Sequence, residues 1–136
     1  MKKIITYDPE IQMAYLYVIP FTSEIKIEST EELEENPKLN VDIDQFDRIV
    51  RIEFFGENAC KLKGLTNRNK IYKKKTSSDN TYIYSFRLSQ DTHLQKVLFH
   101  NIVFYFSDKK YEEFIGFDIV NPSLYGYDIL DSLSEF

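Results

Sequence analysis

One strand pattern occurs twice in this chain. Tyr15-Leu16-Tyr17 followed by Ile49-Val50-Arg51-Ile52-Glu53-Phe54 is echoed by Tyr82-Ile83-Tyr84 followed by Phe114-Ile115-Gly116-Phe117-Asp118-Ile119. The interval from Tyr17 to Ile49 is 32 positions and that from Tyr84 to Phe114 is 30, so both copies keep nearly one spacing. Self-similarity on this scale marks a repeated supersecondary unit. The shared positions are aromatic and aliphatic, as a common core would leave them. The sequence predicts a mainly β fold, with α+β as the alternative. Two similar antiparallel β-units would form one twisted sheet, a sandwich or a barrel, with a short C-terminal helix. The expected boundaries are a first β-unit over 1–59, a basic linker over 60–70, a diverged second unit over 71–122 and a tail or short helix over 123–136.

A chain of 136 residues with 11 Phe and 10 Tyr but only 4 Gly can bury a real core, and its aromatic and β-branched content favours strands. Cys60 is the single cysteine, which excludes an internal disulfide and a cysteine-based zinc site within one chain. The opening Met1-Lys2-Lys3-Ile4-Ile5 reaches Asp8-Pro9-Glu10 too soon for a signal peptide, and no apolar run has transmembrane length. A cytoplasmic protein without a membrane association is expected. The net charge of −5 argues against general nucleic-acid binding and suits a basic protein partner. Charge is uneven along the chain: acids gather at Glu28, Glu31, Glu32, Glu34 and Glu35, and lysines at Lys73, Lys74 and Lys75.

Local patterns place the strands. Asp8-Pro9-Glu10 closes a turn after a first strand, Ala14 to Ile19 alternates, and Ile25 and Ile27 are expected to face inward on a half-exposed strand. Ser29-Thr30-Glu31-Glu32 suits either a helical capping box or strand continuation. The best hairpin signal joins Val41-Asp42-Ile43-Asp44 to Ile49–Phe55 through Gln45-Phe46-Asp47-Arg48, with Val41, Ile43, Val50, Ile52 and Phe54 in the core. It leaves Asp42, Asp44, Arg51 and Glu53 for solvent, so that Arg51→Ala should change stability little. A second hairpin joins Ile102–Phe106 to Phe114–Val120, with aromatic residues on both faces. Gln90 to His100 fits helix or strand, and Ile129, Leu130 and Leu133 have helical spacing.

Ile5-Thr6-Tyr7-Asp8-Pro9-Glu10 leading into Tyr15-Leu16, and Val41-Asp42-Ile43-Asp44 leading into Arg48-Ile49-Val50-Arg51-Ile52-Glu53, resemble the YuzE-like family of small bacterial proteins of unknown function, over about residues 3–56. The resemblance implies a compact antiparallel sheet in the first half. It implies no activity. Gln12 departs from the family's usual acid, Asp47 from its turn glycine and Arg51 from its second glycine; Asp tolerates the left-handed region, so Asp47 keeps the hairpin. The second copy departs further, keeping Gly116 but losing the opening motif.

No catalytic constellation stands out, and no metal site or cofactor is expected. Gly56, Gly64, Gly116 and Gly126 are too scattered for phosphate-cradling loops or nucleophile elbows. His93 and His100 lie seven apart, a same-face spacing on a helix, without a metal-binding context. Cys60 reads as a buried, inert thiol. The leading expectation is a non-enzymatic protein-interaction module, of the kind of an immunity protein or antitoxin that occludes a basic toxin. Its candidate partner-binding residues are Glu28, Glu31, Glu32, Glu34 and Glu35, with Val103, Tyr105 and Tyr111 as the aromatic alternative. The alternatives are a small hydrolase-like or metal-dependent enzyme using sheet-face carboxylates and His, and a nucleic-acid-binding module using the 61–75 segment through Lys73, Lys74 and Lys75.

Overall fold

A computed structural model describes residues 3–135. Met1 and Lys2 of the apolar opening and Phe136 of the expected tail lie outside the described residues. The chain divides into two compact units, Met1–Asn69 and Lys70–Phe136, and is mainly β. The first unit holds β1 (Ile5–Asp8), β2 (Met13–Tyr17), β3 (Ile27–Leu33), β4 (Asn36–Asp44), β5 (Ile49–Phe55) and the short helix α1 (Glu57–Cys60). The second holds β6 (Tyr72–Thr76), β7 (Tyr82–Arg87), β8 (Gln95–Phe99), β9 (Ile102–Phe106), β10 (Phe114–Ile119), helix α2 (Tyr127–Ser132) and β11 (Ser134–Glu135).

Each unit has its own open sheet. The orders are β1-β2-β5-β4-β3 and β11-β6-β7-β10-β9-β8. Strand for strand the second sheet repeats the first, with β11 added in parallel beside β6. The Tyr-x-Tyr segments occupy the equivalent strands β2 and β7, and the long apolar segments form the central strands β5 and β10. The two copies are nevertheless out of phase. Leu16 is buried between half-exposed Tyr15 and Tyr17, whereas Tyr84 is buried and Ile83 is the half-exposed neighbour. With a side-chain period of two, a slip of one residue moves the tyrosines to the opposite face.

Turn chemistry sets the hairpins. Asp8 Oδ1 accepts the Glu10 amide at 2.9 Å, closing the first turn around Pro9. Glu34 and Glu35 form the turn between β3 and β4, so Ser29-Thr30-Glu31-Glu32 continues as strand rather than capping a helix. Pro37 is tolerated in β4 because Leu33 pairs with Asn36 and Glu32 with Asn40, leaving Pro37 in a bulge where no ladder bond is lost. Asp47 takes φ 61°, and Asp44 Oδ1 accepts the amides of Phe46 and Arg48, each at 3.0 Å.

The inner face of the first sheet is the row Ile5, Leu16, Ile52 and Val41 across four strands, all fully buried. In the second sheet Phe86, Phe117 and Phe104 make the corresponding row, and the Phe86 and Phe117 rings lie 5.4 Å apart. Helix α2 buries Leu130 and sets Asp131 against the Tyr84 hydroxyl at 2.5 Å. Ile129, expected among its apolar contacts, is instead 42% exposed. Within Gln90 to His100 the regular part is strand β8, Gln95–Phe99, where pairing with β9 satisfies one side of the backbone. Ile27, expected to face inward, is exposed, since β3 starts there at the sheet edge. Among the described residues no helix is long and apolar enough to cross a membrane.

Gly116 is set by space. A Cβ there would lie 2.2 Å from the Phe86 carbonyl oxygen and 2.7 Å from Arg87 Cδ. We predict that Gly116→Ala destabilises at least as much as the cavity variants Ile52→Ala and Phe117→Ala, each expected to lose about 2–5 kcal/mol. Urea midpoints measure this, and a Gly116→Ala midpoint at wild-type level would contradict the packing described.

Candidate functional site

The outer face of the first sheet is not the solvated surface that its alternation suggests. Asp42 is 1% and Asp44 2% exposed. Asp44 is spent on the turn, where Arg48 Nη2 approaches its Oδ2 at 2.7 Å. Asp42 is held from β5, where Arg51 Nε donates to its Oδ2 at 2.6 Å, and from β3, where Thr30 Oγ1 donates to its Oδ1 at 2.5 Å. The Arg51 guanidinium carbon lies 5.0 Å from the centre of the Tyr15 ring, 5.7 Å from Tyr17 and 5.2 Å from Phe21. A cation boxed by aromatic faces is stabilised by their quadrupoles. Burial opposes the charge on Arg51, but bonds to Asp42 and Tyr17 outweigh it and raise its pKa further. Arg51 is therefore no idle surface residue, since its loss leaves Asp42 buried and unpaired.

Beside this pair runs a second row, with Tyr15, Glu53, Asn40 and Glu32 in register across β2, β5, β4 and β3. Burial first, and then the Asp42 charge, raise the Glu53 carboxyl above its ordinary value; Arg51, 3.8 Å away, offsets this only in part. Asn40 Oδ1 is buried without a hydrogen-bond partner among the described residues. Near the Arg51 cage is a cleft of about 360 Å³ lined by Lys3, Thr6, Tyr17, Pro20 and Phe21.

The second sheet builds a similar cluster from other strands. Arg87 Nη1 lies 2.9 Å from Asp118 Oδ1, Ser85 Oγ donates to the same oxygen at 2.6 Å, and Tyr105 donates to Oδ2 at 2.8 Å. The Arg87 guanidinium stacks 4.4 Å from the centre of the Tyr105 ring. Burial and the bond to Asp118 push the Tyr105 hydroxyl up to about 12. Across the strands the first cluster runs Tyr, Arg, Asp over β2, β5 and β4, and the second Arg, Asp, Tyr over β7, β10 and β9.

The partner-binding and nucleic-acid-binding candidates singled out from the sequence fall into three groups, with the histidines and Cys60 beside them. Glu28, Glu31 and Glu32 lie on β3, an edge strand, and Glu34 and Glu35 on its turn; Glu31 is half-buried and the other four are exposed. Val103 is half-buried, paired with Leu98 on the outer face of the second sheet. Tyr105 and Tyr111 are engaged internally, Tyr111 donating to Gln95 Oε1 at 3.2 Å and packing 5.5 Å from Phe106. Lys73, Lys74 and Lys75 alternate along β6, so they form no single patch: Lys73 and Lys75 are exposed, while Lys74 pairs with Asp131 at 3.1 Å and lies over the Tyr82 ring. His93 packs against Tyr105 and His100 sits in a turn at φ 45°, so the helical spacing that would have brought them together does not arise. Cys60 is exposed rather than buried, its sulfur 3.5 Å from the Tyr7 hydroxyl. Among the described residues no three His, Cys, Asp or Glu side chains are grouped to hold a metal ion. The two arginine clusters were not anticipated, although Arg51 in place of a family glycine was a signal for the first.

The comparisons with known proteins match the sequence of the first unit and of the whole chain. The family described as a protein of unknown function (DUF2283) matches residues 4–57, which carry β1 to β5. The uncharacterized protein YuzE of Bacillus subtilis (strain 168) is 34% identical over 134 residues, covering 98% of either chain. This chain belongs to the YuzE-like family. The relative is thus similar across both units and not only over the first five strands. No solved structure matches.

The raised Glu53 carboxyl gives a signed prediction. A group whose pKa is raised on folding favours the folded state most below its unfolded value, and that contribution is lost as pH rises through the raised value. Glu53→Gln removes the dependence. Its urea midpoint should exceed the wild type's at neutral pH and converge with it in acid below the ordinary glutamate range. Equal midpoints throughout would show that Glu53 titrates as a free surface carboxyl.

Proposed function

We propose that the protein is a non-enzymatic binding module whose first unit docks a basic, extended segment of a partner along β3. The observation that carries this reading is the position of the glutamates: β3 ends the order of the first sheet, so one side of its backbone is unpaired within that sheet. Glu28 and Glu32, with Glu34 and Glu35 on the turn, are exposed along it. The buried acids of the same sheet, Asp42 and Asp44, are neutralised by Arg51 and Arg48. Four exposed carboxylates are thereby gathered along this edge and its turn.

An added strand gains main-chain hydrogen bonds, and the side chains decide which strand is accepted. Here carboxylates would repel a second acidic edge and attract a lysine- or arginine-bearing one, so charge selects the partner. Occlusion of a basic toxin, in the manner of an immunity protein or antitoxin, is the form of partnership that this edge and the net charge of −5 suit best.

The test is a synthetic peptide of alternating Lys and Val added to the full chain and followed by NMR. The largest amide shifts should fall on residues 28–33, with affinity declining as salt rises. The triple reversal Glu28→Lys, Glu32→Lys, Glu35→Lys should weaken binding by about tenfold or more without changing the melting temperature appreciably. Shifts centred elsewhere, or unchanged affinity in the triple variant, would overturn the reading.

A further inference from the structure

β8 is the opposite case among the sheet edges. It terminates the second sheet, and from Thr92 to Ser107 the only Lys, Arg, Asp or Glu is Lys96. Its outward side chains include Leu98, 67% exposed, and Leu94, 56% exposed, with Lys96 between them. The Leu94 amide donates to the Phe106 carbonyl at 2.9 Å, extending the pairing with β9 by one residue. Leu98 lies opposite Val103, so the apolar strip continues onto the next strand. Four glutamates guard β3 and its turn; on β8 the single charged residue is Lys96.

We propose that β8 is the interface through which two copies of this chain pair, antiparallel about Val97. Three physical points favour a second copy in this register. In a protein of net charge −5, the acid-free stretch around β8 is where two copies meet with least repulsion. Pairing about Val97 uses all five residues Gln95–Phe99 of both strands and sets each Lys96 across from the partner's Leu98, where its aliphatic stem covers apolar surface. Pairing about Lys96 would instead oppose two ammonium groups, and pairing about Leu98 would draw in His100, whose φ of 45° breaks the strand. The contact is isologous, so it closes at two copies. Its small extent makes the dimer weak and concentration-dependent.

Light scattering and sedimentation of the full chain from low micromolar to millimolar concentration test this with two variants at one position. Because Leu98 is mostly exposed, neither substitution disturbs the fold, which circular dichroism melting checks. Wild type should pass from monomer to dimer. Leu98→Lys places a lysine against the partner's Lys96 twice over and should raise the dissociation constant by about tenfold or more. Leu98→Glu faces the same Lys96 with the opposite charge and should hold the dimer within roughly threefold at low salt, weakening as salt is added. The proposal is overturned if the wild type stays monomeric throughout, if species larger than dimers form, if both variants lose the dimer equally, or if neither changes it.

Discussion

A guanidinium closing over a buried carboxylate, on the side of the sheet away from the apolar core, is the interaction on which each unit depends. Burying an ionised Asp is strongly unfavourable unless its charge and its lone pairs are met. Asp42 and Asp118 meet that condition in the same way, with an arginine from the neighbouring strand, a hydroxyl from Thr30 or Ser85, and tyrosine faces over the cation. The consequences reach the backbone. Arg87 passes Gly116 to reach Asp118, and a Cβ there would meet the Phe86 carbonyl oxygen first and then the Arg87 side chain. Thr30 ties the edge strand β3 to β4 by a side-chain bond in addition to the ladder.

With these acids neutralised, the two sheets offer their surroundings very different margins. β3 carries carboxylates along its edge, whereas β8 carries Leu98 beside a single lysine, with Leu94 just before the strand. The central strands resemble each other across the duplication, and the edges do not. As proposed, one edge serves a partner of opposite charge and the other self-association, and neither use would disturb the core rows of Ile52 or Phe117.

The duplication, the strand order within the first hairpin and the left-handed Asp47 were all legible, because hydrophobic alternation and turn chemistry are local signals. What alternation could not reveal was the dryness of the second face. It separates Asp42, Arg51 and Glu53 from Val41 and Ile52, but a face is wet or dry according to what lies across it. Here the cover is Arg51 itself, pinned by Tyr15, Tyr17 and Phe21. The repeat of Tyr-x-Tyr was equally visible, yet its phase was not, since one residue of slip reverses every side chain. Around Leu94, Val97 and Leu98 the apolar spacing fits helix and strand alike, and only the pairing with β9 decides between them.

The central claim is that Arg51 and Asp42 act as one unit, and a double-mutant cycle measures it directly. Urea unfolding of Asp42→Leu, Arg51→Met and the double variant yields the coupling between them. Either single change strands a buried or aromatic-boxed charge, so each should lower stability by roughly 2–4 kcal/mol, somewhat less than a fully buried pair because a quarter of the arginine side chain meets water. The double variant should recover most of that loss. Losses that simply add, or an Arg51→Met protein as stable as the wild type, would contradict the account.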